Sequence, residues 1–237
     1  MPSRLLVVLL TLLSVMHAEE ALDLARIHLE ALGGRERIDA LRSLRATAKV
    51  SIGDRRVEVT IVAQKPNRIR TETRAAGQVI TQAYDGTNPP WQFNSKDPKG
   101  SKQPLAPSAA EALIADADFL DPLIDWVSRG SSLEFIGRAL GYNTIVSRIR
   151  VATTGRDLVE VWLDPKTYLI THQLRQRQVS KDRMIVIETH FSDFRPVAGV
   201  IMPHRIASYV EGQLQHVTEI THITANPVIP EGCFTAP

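Results

Sequence analysis

The stretch that most constrains the fold runs from Asp157 to Arg175. Val159, Val161 and Leu163 alternate with Leu158, Glu160 and Trp162, and Tyr168, Ile170 and Leu174 alternate with Leu169, Thr171 and Gln173. Successive side chains leave a strand on opposite faces, so period-two alternation predicts strands. Asp164-Pro165 between the two runs predicts a turn: Asp can bond the backbone two residues on, and Pro fixes φ at the second turn position. The expectation is a long antiparallel hairpin with one side wetter than the other.

Much of the chain repeats this pattern. Ala46, Ala48, Val50 and Ile52 alternate, Gly53-Asp54 turns, and Val57, Val59, Ile61 and Ala63 alternate back. Ile69, Thr71 and Thr73 alternate with a charged face of Arg68, Arg70, Glu72 and Arg74. Ala76-Gly77, Asp85-Gly86 and Glu211-Gly212 are further turns, and Trp91 and Phe93 point to one side. Short turns make sequence neighbours sheet neighbours. Helical spacing is confined to two places. Leu22, Ala25, Leu29 and Leu32 line one face of a helix stopped by Gly33-Gly34, and Ile38, Leu41 and Leu44 follow on a shorter one. Ser108 and Glu111 form a capping box opening a helix with Ala112, Leu113, Ala117 and Leu120 on its apolar face, and Asp121-Pro122 opens a second segment of this helical insertion with Leu123, Ile124, Trp126 and Val127, ended by Gly130. Between them, Asn94–Pro107, with Lys96, Lys99 and Lys102, reads as a solvated loop.

Arg4 followed by the apolar run Leu5–Val15 and by Ala18 has the build of a secretory signal peptide. The run is shorter than the roughly 20 residues of a membrane span. The expected organisation is a leader over residues 1–18, cut near Ala18, then a single soluble, exported domain over 19–237. A net charge of +2, with basic residues scattered among acids, argues against a nucleic-acid partner. Cys233 is the one cysteine, so an internal disulfide is excluded. It reads as a half-buried tail residue.

A sheet of this many strands twists and curls, and its concave face has to be filled by side chains, helices or a guest. The reading is α+β, mainly β: a curled antiparallel sheet of about eleven strands forming an incomplete barrel, with helices as a lid over the concave face. Trp91, Phe93, Leu113, Phe119, Leu123, Trp126 and Trp162 are the candidates to line a lipid-binding cavity, with ordinary core packing as the competing reading for each. His172, His190, His204, His216 and His222 fall in strand-like segments, with Glu188 and His190 on one face. A metal site needs three or four converging ligands, so these are read as polar strand positions and no metal or other cofactor is expected. No Gly-x-Ser-x-Gly elbow or His-Glu-x-x-His helix is present. Asp118, Asp121 and Asp125 read as a solvated face.

Several pieces, in their order, carry a resemblance. They are Ala31-Leu32-Gly33-Gly34, Tyr84-Asp85-Gly86 with Trp91, Asp118-Phe119 with Pro122-Leu123, and Leu163-Asp164-Pro165-Lys166-Thr167-Tyr168-Leu169. Phe191-Ser192-Asp193-Phe194-Arg195, Gly199-Val200-Ile201-Met202-Pro203, and Asn226 with Phe234 complete them. Together the chain resembles the LolA/LolB-like superfamily of periplasmic outer-membrane lipoprotein-sorting proteins, over nearly its whole length beyond the leader. The resemblance implies an incomplete barrel with a helical lid, periplasmic localisation, and binding of lipid or lipoprotein acyl chains without catalysis. It brings inner- or outer-membrane proteins in as further partners. The family's lid-latching arginine has no single match here; Arg68 and Arg70 lie in a predicted strand. The competing function is a periplasmic sensor or adaptor that uses the same pocket to regulate a partner protein.

Overall fold

The structure is a computed structural model and describes residues 3–141, 143–152, 158–180 and 183–235. Its helices are α1 (Ser3–Ala31), α2 (Arg35–Ala40) and α3 (Pro107–Ala117). Its strands are β1 (Ser43–Ile52), β2 (Arg55–Gln64), β3 (Arg68–Ala75), β4 (Gln78–Tyr84), β5 (Trp91–Asn94), β6 (Gln103–Pro104) and β7 (Ser132–Gly141). They continue with β8 (Thr144–Ala152), β9 (Leu158–Leu163), β10 (Ile170–Ser180), β11 (Arg183–Val197), β12 (Val200–Val210) and β13 (Gln213–Ala225). The chain is mainly β, as expected, with thirteen strands where the sequence suggested about eleven. The hydrogen-bonded order is β6-β5-β4-β3-β2-β1-β13-β12-β11-β10-β9-β8-β7, so β6 and β7 each have one neighbour and the order does not close on itself. Pairing is between sequence neighbours everywhere except β1 with β13.

Tight turns explain that regularity. Ala76-Gly77, Ala198-Gly199 and Glu211-Gly212 have positive φ at both residues. This is the two-residue geometry whose twist matches the flanking strands. At the hairpin between β9 and β10, Asp164 Oδ1 accepts from the backbone N–H of Lys166 (3.0 Å) and Thr167 (2.8 Å), as expected for its turn.

Two compact units are distinguished by their internal contacts. One comprises Met1–Arg35, Pro122–Phe191 and Ser208–Gln213; the other comprises Glu36–Asp121, Ser192–Ala207 and Leu214–Pro237. In the first, Ala21 and Leu24 of α1 pack with Leu123, Phe135, Ile149, Val151, Val159, Val161, Leu163 and Ile170. Val159, Val161 and Leu163 are the buried members of β9, as the alternation requires. The buried face of α1 is rotated from the expected one. Leu22 is 47% exposed, while Ala21, Leu24, Ala25, His28 and Leu32 are buried. The reason is His28: its Nδ1 donates to the Tyr168 carbonyl at 2.7 Å, which lets a polar side chain occupy a core position. The helix ends as predicted, with Gly34 N–H on Leu29 O and Gly33 N–H on Glu30 O, both 3.0 Å.

The other expected helix is shorter than read. α3 ends at Ala117, and residues 122–130 form successive turns, closed by Arg129 N–H on Asp125 O and Ser131 N–H on Trp126 O. Asp125 has φ 55°, which an α-helix cannot use. The capping box at Ser108 does not form. Pro107 already occupies the first helical turn behind Ala106, and no side chain caps the end. The lysine-rich loop contains the short strand β6, paired to β5.

Candidate functional site

In the second unit, α3 lies on one face of the sheet. Its buried residues Leu113 and Ala117 pack with Ile69 of β3, bordered by Ile61, Tyr84 and Leu105. The contact is narrow: Ile114, one residue on from Leu113, is 40% exposed. Register fixes which side chains share this face. Ile69 pairs with Ala63 and Tyr84, so these lie under α3. Arg70 pairs with Val62 and Ala83, and Ala83 pairs with Trp91, so these lie on the reverse face.

The chain's tail covers part of that reverse face. Trp91 is buried and its indole N–H donates to Phe234 O at 3.2 Å, while Arg70 donates to Cys233 O at 3.1 Å. Arg70 also pairs with Glu72 at 3.0 Å, so its partners are all on the side away from Ile69 and α3. Cys233 is a half-buried free thiol, raised above its ordinary range by burial. Asn226 secures the start of β1. Its Oδ1 accepts from the N–H of Arg42 (2.8 Å) and Ser43 (3.2 Å), and its Nδ2 donates to Ala40 O (2.9 Å).

In the first unit the same logic separates two faces. Leu123 joins the core under α1. Trp162 points the other way, paired with Arg148 and His172. An irregularity creates this second face. Ile170 pairs with Leu163 but His172 pairs with Trp162, so Thr171 is an extra residue. That β-bulge turns His172 away from the core side and carries Leu174 with it. Without the bulge, His172 would share Ile170's face, as strict alternation predicts.

The result is an aromatic row across four strands. Trp162 and His172 have ring centroids 5.1 Å apart, His172 and His190 4.4 Å, and His190 and Tyr209 4.6 Å. Glu188 joins the row, accepting from His190 Nε2 at 2.7 Å. Beside it, Glu160 accepts from Arg148 Nε (2.6 Å) and Trp162 Nε1 (2.7 Å). Burial pushes the Glu160 carboxyl up, but the bonds from Arg148 and Trp162 and the charges of Arg148 and Arg150 outweigh it and hold it below its ordinary range. Burial and the neighbouring His190 push His172 down to about 4, against a smaller upward pull from Glu188. Glu188 and His190 were legible as sharing a face; the arrival of His172 beside them was not.

The predicted cavity residues therefore do not converge on one cluster. Leu113 is under α3, Trp91 and Phe93 are on the reverse face of that sheet region, and Leu123 and Trp162 are on opposite faces of the other unit. Phe119 and Trp126 are half-buried in the segment after α3. The first unit also has a pocket of about 490 Å³ lined by His17, Ala18, Leu133, Glu134, Phe135, Ile136 and Arg150. Within its lining Arg150 pairs with Glu134 at 2.7 Å. Among the described residues, no helix is long and apolar enough to cross a membrane.

No family model matches the chain, and no curated protein matches it by sequence. Solved structures do match. A domain named as an outer membrane lipoprotein-sorting protein, from Vibrio parahaemolyticus, aligns over 92% of this chain and 97% of its own, with TM-score 0.60 and 11% identity. A DUF1329 family protein from Desulfovibrio piger aligns over the same shares with TM-score 0.61 and 12% identity. A LolA superfamily protein from Nitrosomonas europaea aligns over 87% of this chain and 96% of its own, with TM-score 0.53 and 13% identity. At these identities the likeness is one of fold, and it spans both units. The chain has a LolA-like fold.

Proposed function

We propose that this chain is an exported, periplasmic carrier that holds a lipid or lipoprotein acyl chain against the sheet face covered by α3, without catalysing a reaction. The observation that carries the reading is the fold likeness to the Vibrio lipoprotein-sorting domain over 92% of the chain. The leader-like N-terminus is consistent with export. On this reading α3 is the lid over the guest, and membrane proteins donate and accept the cargo. The pocket at His17 and Ala18 belongs to the uncut chain, because both residues lie on the leader side of the expected cut.

The energetics favour a guest displacing α3 over one filling an empty hole. α3 contributes Leu113 and Ala117 to its cluster. Burying two such side chains is worth a few kcal/mol at about 0.8 kcal/mol per methylene. An acyl chain laid on Ile61, Ile69 and Tyr84 gains about 0.8 kcal/mol for each methylene it removes from water. On this reading a guest that buries more methylenes than Leu113 and Ala117 do outweighs the helix, and the helix closes the site again after release. The test is uptake of a fluorescent acyl probe by the purified mature protein, with native mass spectrometry for co-purified lipid. Saturable one-to-one uptake supports the carrier. Absence of both uptake and co-purified lipid overturns it.

A further inference from the structure

We propose that His172, Glu188 and His190 form a binding site for a divalent transition-metal ion, zinc being the first candidate. Their ligand atoms all lie within 4.8 Å of one another. The three positions come from two adjacent antiparallel strands. Glu188 and His190 are two residues apart on one face of β11, and His172 is the direct cross-strand partner of His190. The bulge at Thr171 is what brings the third ligand to this face.

The donor set suits the chemistry. Two imidazoles and one carboxylate are a borderline-soft set of the kind that takes Zn²⁺, with a fourth position left for water or an exogenous ligand. Ni²⁺ and Cu²⁺ suit imidazole as well, and Mg²⁺ and Ca²⁺ prefer all-oxygen sets. His190 Nε2 and Glu188 Oε1 lie 2.7 Å apart, so two of the three donors already face one point.

The surroundings hold the rings in place. Trp162 packs beside His172 and Tyr209 beside His190, which limits how far either ring can swing. The site remains reachable, with the side chains of His190 and Glu188 18% and 26% exposed. Beside the row, Arg148 is engaged by Glu160 at 2.6 Å, so its charge is compensated before an ion arrives. This proposal is independent of lipid carriage, since these side chains lie on the face away from the α1-packed core and in a different unit from α3.

The test is a Zn²⁺ titration of the chelator-stripped full chain by calorimetry. Stoichiometry comes from native mass spectrometry, and coordination from the visible d–d spectrum of the Co²⁺-substituted protein. The expected result is one ion per chain bound by nitrogen and oxygen donors. Glu188→Gln and His190→Gln should each weaken binding by about 100-fold or more, beyond the 10- to 100-fold typical of losing an outer-shell partner. His216→Gln and His222→Gln should leave it unchanged. Glu188→Gln is near-isosteric, and circular dichroism confirms that it folds. The proposal is overturned if no saturable binding occurs, or if folded Glu188→Gln and His190→Gln proteins bind as the parent does.

Discussion

Replacing Leu113 with Ala tests whether α3 is a lid, because the lid reading predicts faster uptake from a destabilising change. Leu113 is 6% exposed and is the larger of the two buried residues on α3. Leu→Ala at a buried site costs about 2–5 kcal/mol, and a site at the edge of a small cluster belongs at the lower end, about 2–3 kcal/mol. If the closed state alone bears that cost, the open fraction rises roughly 30- to 150-fold, since 1.4 kcal/mol is about tenfold. Association of an acyl probe that enters only the open state should accelerate by the same factor. Dissociation should also quicken, because the remaining lid covers the guest less well. Stopped-flow fluorescence reads both rates, and hydrogen exchange on residues 107–117 reports independently how often the helix opens. The reasoning is refuted if exchange shows α3 opening more often while probe association is unchanged or slower.

Other changes probe the supports of the two units. Glu160 has a folded pKa held below its ordinary value, so its stabilising effect is present above about pH 4.5 and is lost as pH falls through the lower folded value. Glu160→Gln should remove that part of the acid limb, giving a flatter stability-against-pH curve below about pH 5 in urea unfolding. His28→Ala removes a buried bond and leaves the Tyr168 carbonyl without it, at a cost of about 2–4 kcal/mol by chemical denaturation, whereas Leu22→Lys on the exposed side of α1 should change stability by less than about 0.5 kcal/mol. Asn226→Ala abolishes three hydrogen bonds at the start of β1 and puts alanine at φ 48°, so a loss of about 2–3 kcal/mol is expected in the same assay.

What the sequence revealed follows from which forces are local. The alternation of Val159, Val161 and Leu163 reports burial directly, and the X-Gly pairs report turns, so the hairpins were legible. Asn226, picked out only as part of a resemblance, proves to be a three-bond clamp between distant segments. Three things were hidden by tertiary context. A carbonyl 140 residues away lets His28 into the core and rotates α1. The apolar spacing of Leu123, Ile124, Trp126 and Val127 imitates a helix, yet these residues lie on turns, with Leu123 and Ile124 buried. One extra residue at Thr171 reverses the faces of His172 and Leu174, which no periodicity count can foresee. The aromatic candidates for the cavity failed to converge for a related reason: register, more than residue type, decides which side of a sheet a tryptophan occupies.

The account rests on an acyl chain lying between α3 and the sheet. A crystal structure of the mature protein grown with a long-chain fatty acid tests this most directly. The account predicts continuous acyl density against Ile61, Ile69 and Tyr84, with α3 displaced. Acyl density on another surface, or an unmoved α3 with Leu113 still packed on Ile69 at saturating fatty acid, would contradict it.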